Sequence, residues 1–156
     1  MNTKIPDMRN SKYWEVKKIW ELNKEEWEAL CDGCGRCCLH KFKEADGRIL
    51  FTDVSCKYLD MDQCKCLVYE TRHQHIPNCI NLTAENIPKT PSLPESCAYR
   101  RIHEGKDLLP WHPLITGRKE SVIEAGISVL GKITNEICLS PEEIEKRIVT
   151  WPNSAK

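Results

Sequence analysis

"CDGCGRCCLHK", residues 31–41, places four cysteines within eight positions, two of them adjacent, with glycines between. An isolated cysteine usually behaves as a small, scattered interior hydrophobe, and this cluster does not fit that pattern. Cys31, Cys34 and Cys37 form an unbroken Cys-x2-Cys-x2-Cys run, with Asp32-Gly33 and Gly35-Arg36 filling the gaps. Two intervening residues let a turn aim both sulfurs at one ion. Three such thiols in a row also suit a loop wrapped around a cubane iron–sulfur cluster. Whether sulfur or an apolar core holds this stretch decides the fold of everything around it.

Working outward, residues 31–97 carry nine of the ten cysteines and four of the nine prolines. The same 67 positions hold only twelve Leu, Ile and Val and no Trp. Such a segment struggles to offset its ordering entropy by apolar burial alone. Metal bonds made only in the folded state would supply the deficit, because binding energy then becomes folding energy. Disulfides are the competing explanation. The N-terminal stretch is charged throughout with no apolar h-region, so it reads as lacking an export signal and the protein as cytoplasmic. In that reducing compartment clustered thiols more often hold metal than bridge one another.

A second pair of candidate ligands is Cys64-Lys65-Cys66, with Cys56 and Cys79 on either side. In an extended segment residues i and i+2 share a face, which would bring both sulfurs to one ion. Adjacent Cys37 and Cys38 point apart on a strand or a helix alike, so they belong to different ions or one bridges two. Zinc and iron–sulfur centres both take thiolates, and the spacing settles neither: no Cys-Pro closes a ferredoxin-type run, and Cys64 and Cys66 do not make a second Cys-x2-Cys knuckle. His40 falls two residues after Cys38 and reads as a hydrogen-bond partner of a cysteine sulfur. His73 and His75 would chelate from a strand and are otherwise solvated.

On either side of the cysteine region the chain is more conventional. Residues 11–30 read as two helices broken near Leu22, with Asn23 and Glu26 as a capping box. Trp14, Val16, Ile19, Trp20, Trp27 and Leu30 form an apolar stripe expected to pack on the core. "RILFTDVSCKYL" and "CKCLVYE" read as strands. "PESCAYRRIHEG" reads as a short helix capped by Ser96 and stopped at Gly105. "DLLPWHPLITG" is too proline-broken for a helix, and its Trp111 and His112 are expected to plug the core. "SVIEAGISVLGKITNEICL" favours a hairpin turning at Gly131-Lys132. "SPEEIEKRIVTW" reads as a helix over about 141–150, with Ser140 as N-cap, Pro141 at the first position and Glu143 completing a capping box. The expected architecture is a small irregular α+β single domain spanning 1–156. Its parts are an N-terminal helical segment, a metal-stapled, loop-rich middle over 31–97 with short strands, and a C-terminal region from 98 ending in a helix.

The blocks "LCDGCGRCCLHK", "FTDVSCKYL", "CKCLVYETR", "PNC", "LTAEN" and "CAYRRIHEGKDLLPWHPLITG" resemble, in order and approximate spacing, the YcgN group of the YkgJ, or CxxCxxCC, cysteine-cluster family. The resemblance runs from about Trp27 to Gly117. It implies a zinc- or iron-chelating domain, with some members described as iron–sulfur oxidoreductases. The family's eight-cysteine pattern falls on Cys31, Cys34, Cys37, Cys38, Cys56, Cys64, Cys66 and Cys79. Cys97 matches a ninth cysteine of the narrower group, and Cys138, outside the blocks, reads as a core thiol.

Zero formal net charge gives no basic face for nucleic acid. No apolar run is long enough to span a membrane. Metal ions are the expected partners. The expected function is cysteine-cluster binding of zinc or iron. An iron–sulfur oxidoreductase and a zinc-stapled protein-interaction module are the alternatives.

Overall fold

The computed structural model describes residues 11–154. Residues 1–10, which open the stretch read above as lacking an export signal, lie outside the described residues. Among those described are seven short helices and one three-stranded sheet, joined largely by turns. The fold is thus a small, loop-rich α+β one, with helices near both ends as expected. Two compact units divide it. The first comprises 11–32, 82–127 and 153–154; the second comprises Gly33–Asn81 and Ser128–Pro152.

The first unit holds an apolar core. Helix α1 spans Tyr13–Val16 and α2 spans Lys24–Ala29, with a 3-10 turn at Ile19–Glu21 between them. The capping box at α2 is present: Glu26 N donates to Asn23 Oδ1 at 2.9 Å and Asn23 N donates to Glu26 Oε2 at 3.1 Å. The two orphan donors of the helix start are thereby satisfied reciprocally. Tyr13, Trp14, Ile19 and Leu30 are buried, and Trp27 packs against them. Val16 and Trp20, counted in the same stripe, are instead 77% and 70% exposed. Lys17 and Lys18 adopt extended backbone, so the helical phase that would have aligned the stripe is lost between α1 and the turn.

Helix α4 spans Ala98–His103; α3, described below, belongs to the second unit. Cys97 rather than Ser96 occupies the N-cap position of α4, and Ser96 is buried. The Tyr99 hydroxyl donates to the Trp27 carbonyl at 2.7 Å, and the two rings lie 4.8 Å apart. Trp111 and His112 are buried as expected, but "PLIT" forms a helical turn, α5, Pro113–Thr116. Proline is harmless at a first helical position, where the missing N–H has no intrahelical partner anyway. His112 caps this turn: its Nδ1 accepts from Leu114 N at 3.0 Å while its Nε2 donates to the Leu30 carbonyl at 2.8 Å.

Residues expected to form a hairpin split between the units. Ser121–Glu124 is helix α6, with Val122 buried in the first unit. Thr134–Asn135 is strand β3 of the second. No hairpin turns at Gly131-Lys132, because β3 pairs in parallel with β2 instead.

The second unit is built on the sheet. Strands β1, Leu39–Lys43, and β2, Ile49–Ser55, pair antiparallel from Leu39↔Ser55 to Lys43↔Ile49, with an irregularity between Leu39 and Lys41. Strand β2 is central. "CKCLVYE" is not a strand. It makes one bridge, Leu59↔Cys66, before a 3-10 turn at Tyr69–Thr71 and the short helix α3, Arg72–His75. Helix α7 has the Ser140–Glu143 capping box and Pro141 at its start, but ends at Glu145. The chain beyond it joins the edge of β2: Asp53 N donates to Arg147 O at 3.2 Å, Val149 N donates to Phe51 O at 2.9 Å, and Arg147 Nε meets Asp53 Oδ1 at 2.7 Å. Sheet bonds thus displace the last turns of the expected helix. A small apolar cluster of Leu39, Leu59 and Val129 sits beneath, with Cys38, Cys64, Phe51, Ile133 and Trp151 packed on it.

Candidate metal centre

None of the ten cysteines is in a disulfide. In the second unit backbone geometry collects several of them. Gly35, at φ +81°, starts a 3-10 turn over Arg36–Cys38, closed by Cys38 N donating to Gly35 O at 3.1 Å. At three residues per turn the Cys37 and Cys38 side chains leave about 120° apart. The β1–β2 ladder continues one step past Leu39↔Ser55, with Cys56 N donating to Cys38 O at 2.8 Å. Leu59 N donates to Cys56 O at 3.1 Å, and the Leu59↔Cys66 bridge then brings in Cys66. Cys79 follows α3, its N–H donating to Ile76 O at 3.0 Å.

Thiol electrostatics follow this placement. A hydrogen bond with Cys37, then burial, then the sulfurs of Cys37, Cys66 and Cys56 push the Cys38 thiol far above its ordinary value. Burial lifts Cys56, and Glu136, Cys66 and Cys79 push it the same way, against a backbone hydrogen bond at Tyr58. Burial also lifts Cys79, opposed by Arg72 and reinforced by Cys37 and Cys66. Cys38 thus feels Cys37, Cys56 and Cys66, and Cys79 feels Cys37 and Cys66. In such a group thiolates repel, and a dication is what inverts that balance. Burial pulls the Lys41 amine below its ordinary value, opposed in order by the sulfurs of Cys37, Cys38, Cys34 and Cys79.

Cys64 is placed differently from the expectation. Its backbone is left-handed, at φ +56°, so Cys64 and Cys66 do not share the face of an extended segment. Asp60 shapes this loop by accepting from Asp62 N and Gln63 N on Oδ1, at 2.8 and 3.2 Å, and from Cys64 N on its carbonyl, at 2.9 Å. Cys31 is exposed and belongs to the first unit. Thiolate donors suit zinc and iron–sulfur chemistry alike. As they stand, no group of three or more His, Cys, Asp or Glu among the described residues is arranged to hold an ion.

No family profile matches the chain. No solved structure matches it either. Curated relatives do. A UPF0260 protein of Rhizobium etli is 47% identical over 146 residues, covering 93% of this chain and 92% of the relative. The chain belongs to the UPF0260 family. Its likeness extends to UPF0260 proteins of Rhodopseudomonas palustris, 47% identical over 142 residues, and of Granulibacter bethesdensis, 49% identical over 141; each match covers 90% of this chain and 84% of the relative.

Other residues singled out in this UPF0260 chain lie elsewhere. Cys97 packs on the apolar core of the first unit. Cys138, expected in a core, is exposed on a 3-10 turn at Glu136–Cys138. His40 does not meet a sulfur; its Nε2 pairs with the Glu136 carboxylate. His73 and His75 are exposed on α3, where positions two apart point away from each other. The strand that chelation by this pair requires is absent. Lys41 and Glu136 were not singled out in the sequence. Glu136 meets His40 across 96 positions and has no local signal. Lys41 is four residues past Cys37, and that spacing is the signal that marks it.

No helix among the described residues is long and apolar enough to cross a membrane.

Proposed function

We propose that this chain is a thiolate metal-binding protein of a reducing compartment, the cytoplasm, holding zinc or iron, the latter as an iron–sulfur centre. The observation that carries the reading is the convergence of Cys38, Cys56 and Cys66 through consecutive backbone bonds, with Cys37 and Cys79 in electrostatic range. The resemblance of the cysteine blocks to the YcgN group supports it, as does the absence of disulfides among ten cysteines. So does the small number of buried apolar side chains in the second unit: four, Leu39, Val54, Leu59 and Val129, serve more than seventy residues. The ligands are proposed to come from among Cys34, Cys37, Cys38, Cys56, Cys66 and Cys79. A bound ion would tie the turn at 36–38, the end of β2, the 60–66 loop and the segment after α3 to one point. An iron–sulfur centre would add electron transfer.

The test is metal and sulfide analysis of protein purified without oxygen, with iron and zinc supplied. Brown protein absorbing near roughly 400 nm with acid-labile sulfide identifies a cluster. Colourless protein with stoichiometric zinc that loses structure on chelation identifies a closed zinc site. Metal-free protein that folds fully and binds neither ion overturns the proposal.

A further inference from the structure

We propose that a row of interleaved cations and rings on the second unit, running Lys57, Tyr58, His75, Arg72, Tyr69, docks an acidic polypeptide segment that also carries aliphatic side chains. The proposal goes beyond the metal-binding reading and stands without it. Lys57 Nζ lies 5.2 Å from the centre of the Tyr58 ring, and the Tyr58 and His75 rings lie 5.2 Å apart. His75 and Arg72 are three positions apart on α3 and share a face of it. The Arg72 guanidinium in turn sits 4.2 Å from the centre of the Tyr69 ring. Tyr69 opens the 3-10 turn that runs into α3, and residues three apart eclipse in such a turn. The five side chains therefore follow one another along one surface.

The groups that hold these cations are neutral. Arg72 Nη1 donates to the Tyr69 carbonyl at 2.6 Å, and Nη2 donates to Asn81 Oδ1 at 3.2 Å. A ring attracts a cation through its quadrupole and leaves the net charge in place. Among the described residues no carboxylate pairs with Lys57 or Arg72, although Lys17, Arg48, Arg100, Lys106, Arg118 and Arg147 each have one. Of the carboxylates near in sequence, Asp60 is engaged by the N–H groups of Asp62 and Gln63, and Glu70 leaves its turn about 120° from Tyr69. Two uncompensated positive charges thus share a surface of a chain whose net charge is zero. Charge complementarity selects an anionic partner. Leu67 borders the row, its N–H donating to the Tyr58 carbonyl at 2.8 Å, and it is 66% exposed. An exposed aliphatic residue beside a charged rim fits a segment carrying both acidic and aliphatic side chains. A nucleic-acid strand fits less well, because its bases stack on open ring faces. The Tyr58 and Tyr69 rings are already engaged by Lys57, His75 and Arg72.

The experiment measures fluorescence anisotropy of a labelled peptide of Glu and Leu on the full chain, purified without oxygen, at low and high salt. A matched peptide of Gln and Leu and a labelled oligothymidylate are run beside it. The Glu/Leu peptide should bind, should weaken as salt rises, and should bind roughly 10-fold more tightly than the Gln/Leu peptide. Combining Lys57→Gln with Arg72→Gln should weaken it by about 10-fold or more, whereas Arg72→Lys, which keeps the charge, should stay within a few-fold of the parent. Leu67→Ser should weaken binding without changing its salt dependence. Lys43→Gln removes an exposed charge from β1 of the same unit and should change little. No binding of the Glu/Leu peptide at low salt overturns the proposal. So does equal weakening by Lys43→Gln, which would mark a response to bulk charge. Tighter binding of oligothymidylate, lost in the double variant, assigns the surface to nucleic acid and overturns the acidic partner. Should the double variant lose its fold by circular dichroism, Lys57→Glu at an exposed site decides: it should lose the Glu/Leu peptide and gain one of Lys and Leu, and an unchanged preference refutes the row as a docking surface.

Discussion

Gly35 faces Cys64: a β-carbon at position 35 would stand 2.5 Å from Cys64 Sγ and 2.6 Å from Val129 Cγ2. Gly35 also holds φ +81°, a conformation that costs an L-residue roughly 1–2 kcal/mol. Gly33 has nearly the same backbone, φ +76°, with nothing within 4 Å of its virtual β-carbon. The pair separates backbone strain from crowding. Gly33→Ala should cost only the strain, about 1–2 kcal/mol. Gly35→Ala should cost that plus overpacking of about 1–3 kcal/mol, and should disturb Cys64. Urea unfolding of both variants measures the difference; equal midpoints would mean that Gly35 yields without resistance.

His112 makes stability depend on pH. With Nδ1 accepting from Leu114 N–H and Nε2 donating to the Leu30 carbonyl, the folded ring is neutral. Burial holds it below the ordinary value of 6.5, against a backbone hydrogen bond at Leu30 and the charge of Asp32. The unfolded chain therefore binds the proton more readily. Its contribution is fully present above about pH 6.5 and is lost as the pH falls from there toward the folded value. His112→Gln should destabilise at pH 7.5 by roughly 1–3 kcal/mol, the cost of a broken buried network. Its stability should also fall less between pH 7 and pH 5 than the parent's. Parallel pH profiles for the two proteins would exclude the imidazole as the titrating group.

The parts of the fold legible in the sequence were those set by local chemistry. The Asn23–Glu26 and Ser140–Glu143 boxes satisfy backbone donors within three residues, and both are present. Strand β2 was legible because its apolar and β-branched residues are contiguous. What failed depended on distant partners. The helix from Pro141 is cut short where Arg147 and Val149 find β2, nearly a hundred positions earlier. The hairpin expected at Gly131 gave way to a parallel pairing of β3 with Val54 and Ser55. Trp20 left its stripe because two extended residues, Lys17 and Lys18, shifted the helical phase. In the candidate site the residue types were legible and their grouping was not. Periodicity put Cys64 and Cys66 on one face of an extended segment, and Cys64 is instead left-handed, in a loop shaped by Asp60.

Thr52 joins the ends of the second unit. It is wholly buried; its Oγ1 donates to the His40 carbonyl at 2.8 Å and accepts from Val54 N at 3.1 Å, and its own carbonyl accepts from Trp151 Nε1 at 3.1 Å. Thr52→Val keeps the shape and removes the hydroxyl, leaving a buried carbonyl and a buried N–H short of a partner. The expected loss is about 1–3 kcal/mol, read by urea unfolding. A variant as stable as the parent would mean that water replaces the hydroxyl.

Serine substitution sorts six of the ten cysteines by role. Cys38, Cys56 and Cys66 are joined through the backbone, and Cys79 acts on the same sulfurs, so each should contribute to one ion. Cys97 packs against the apolar cluster of the other unit, and Cys138 is exposed. Serine is a poor ligand for a soft ion. Replacing any of the first four should therefore lower bound metal by a whole site per chain, and should lower the melting temperature of loaded protein. Replacing Cys138 should change neither. Cys97→Ser should cost at most about 1 kcal/mol through a half-buried polar group while metal content stays that of the parent. Metal content by elemental analysis and thermal unfolding read the two effects separately. If Cys97→Ser strips the metal, or if Cys56, Cys66 and Cys79 variants all keep it, the grouping of thiols drawn from the β1–β2 ladder is wrong.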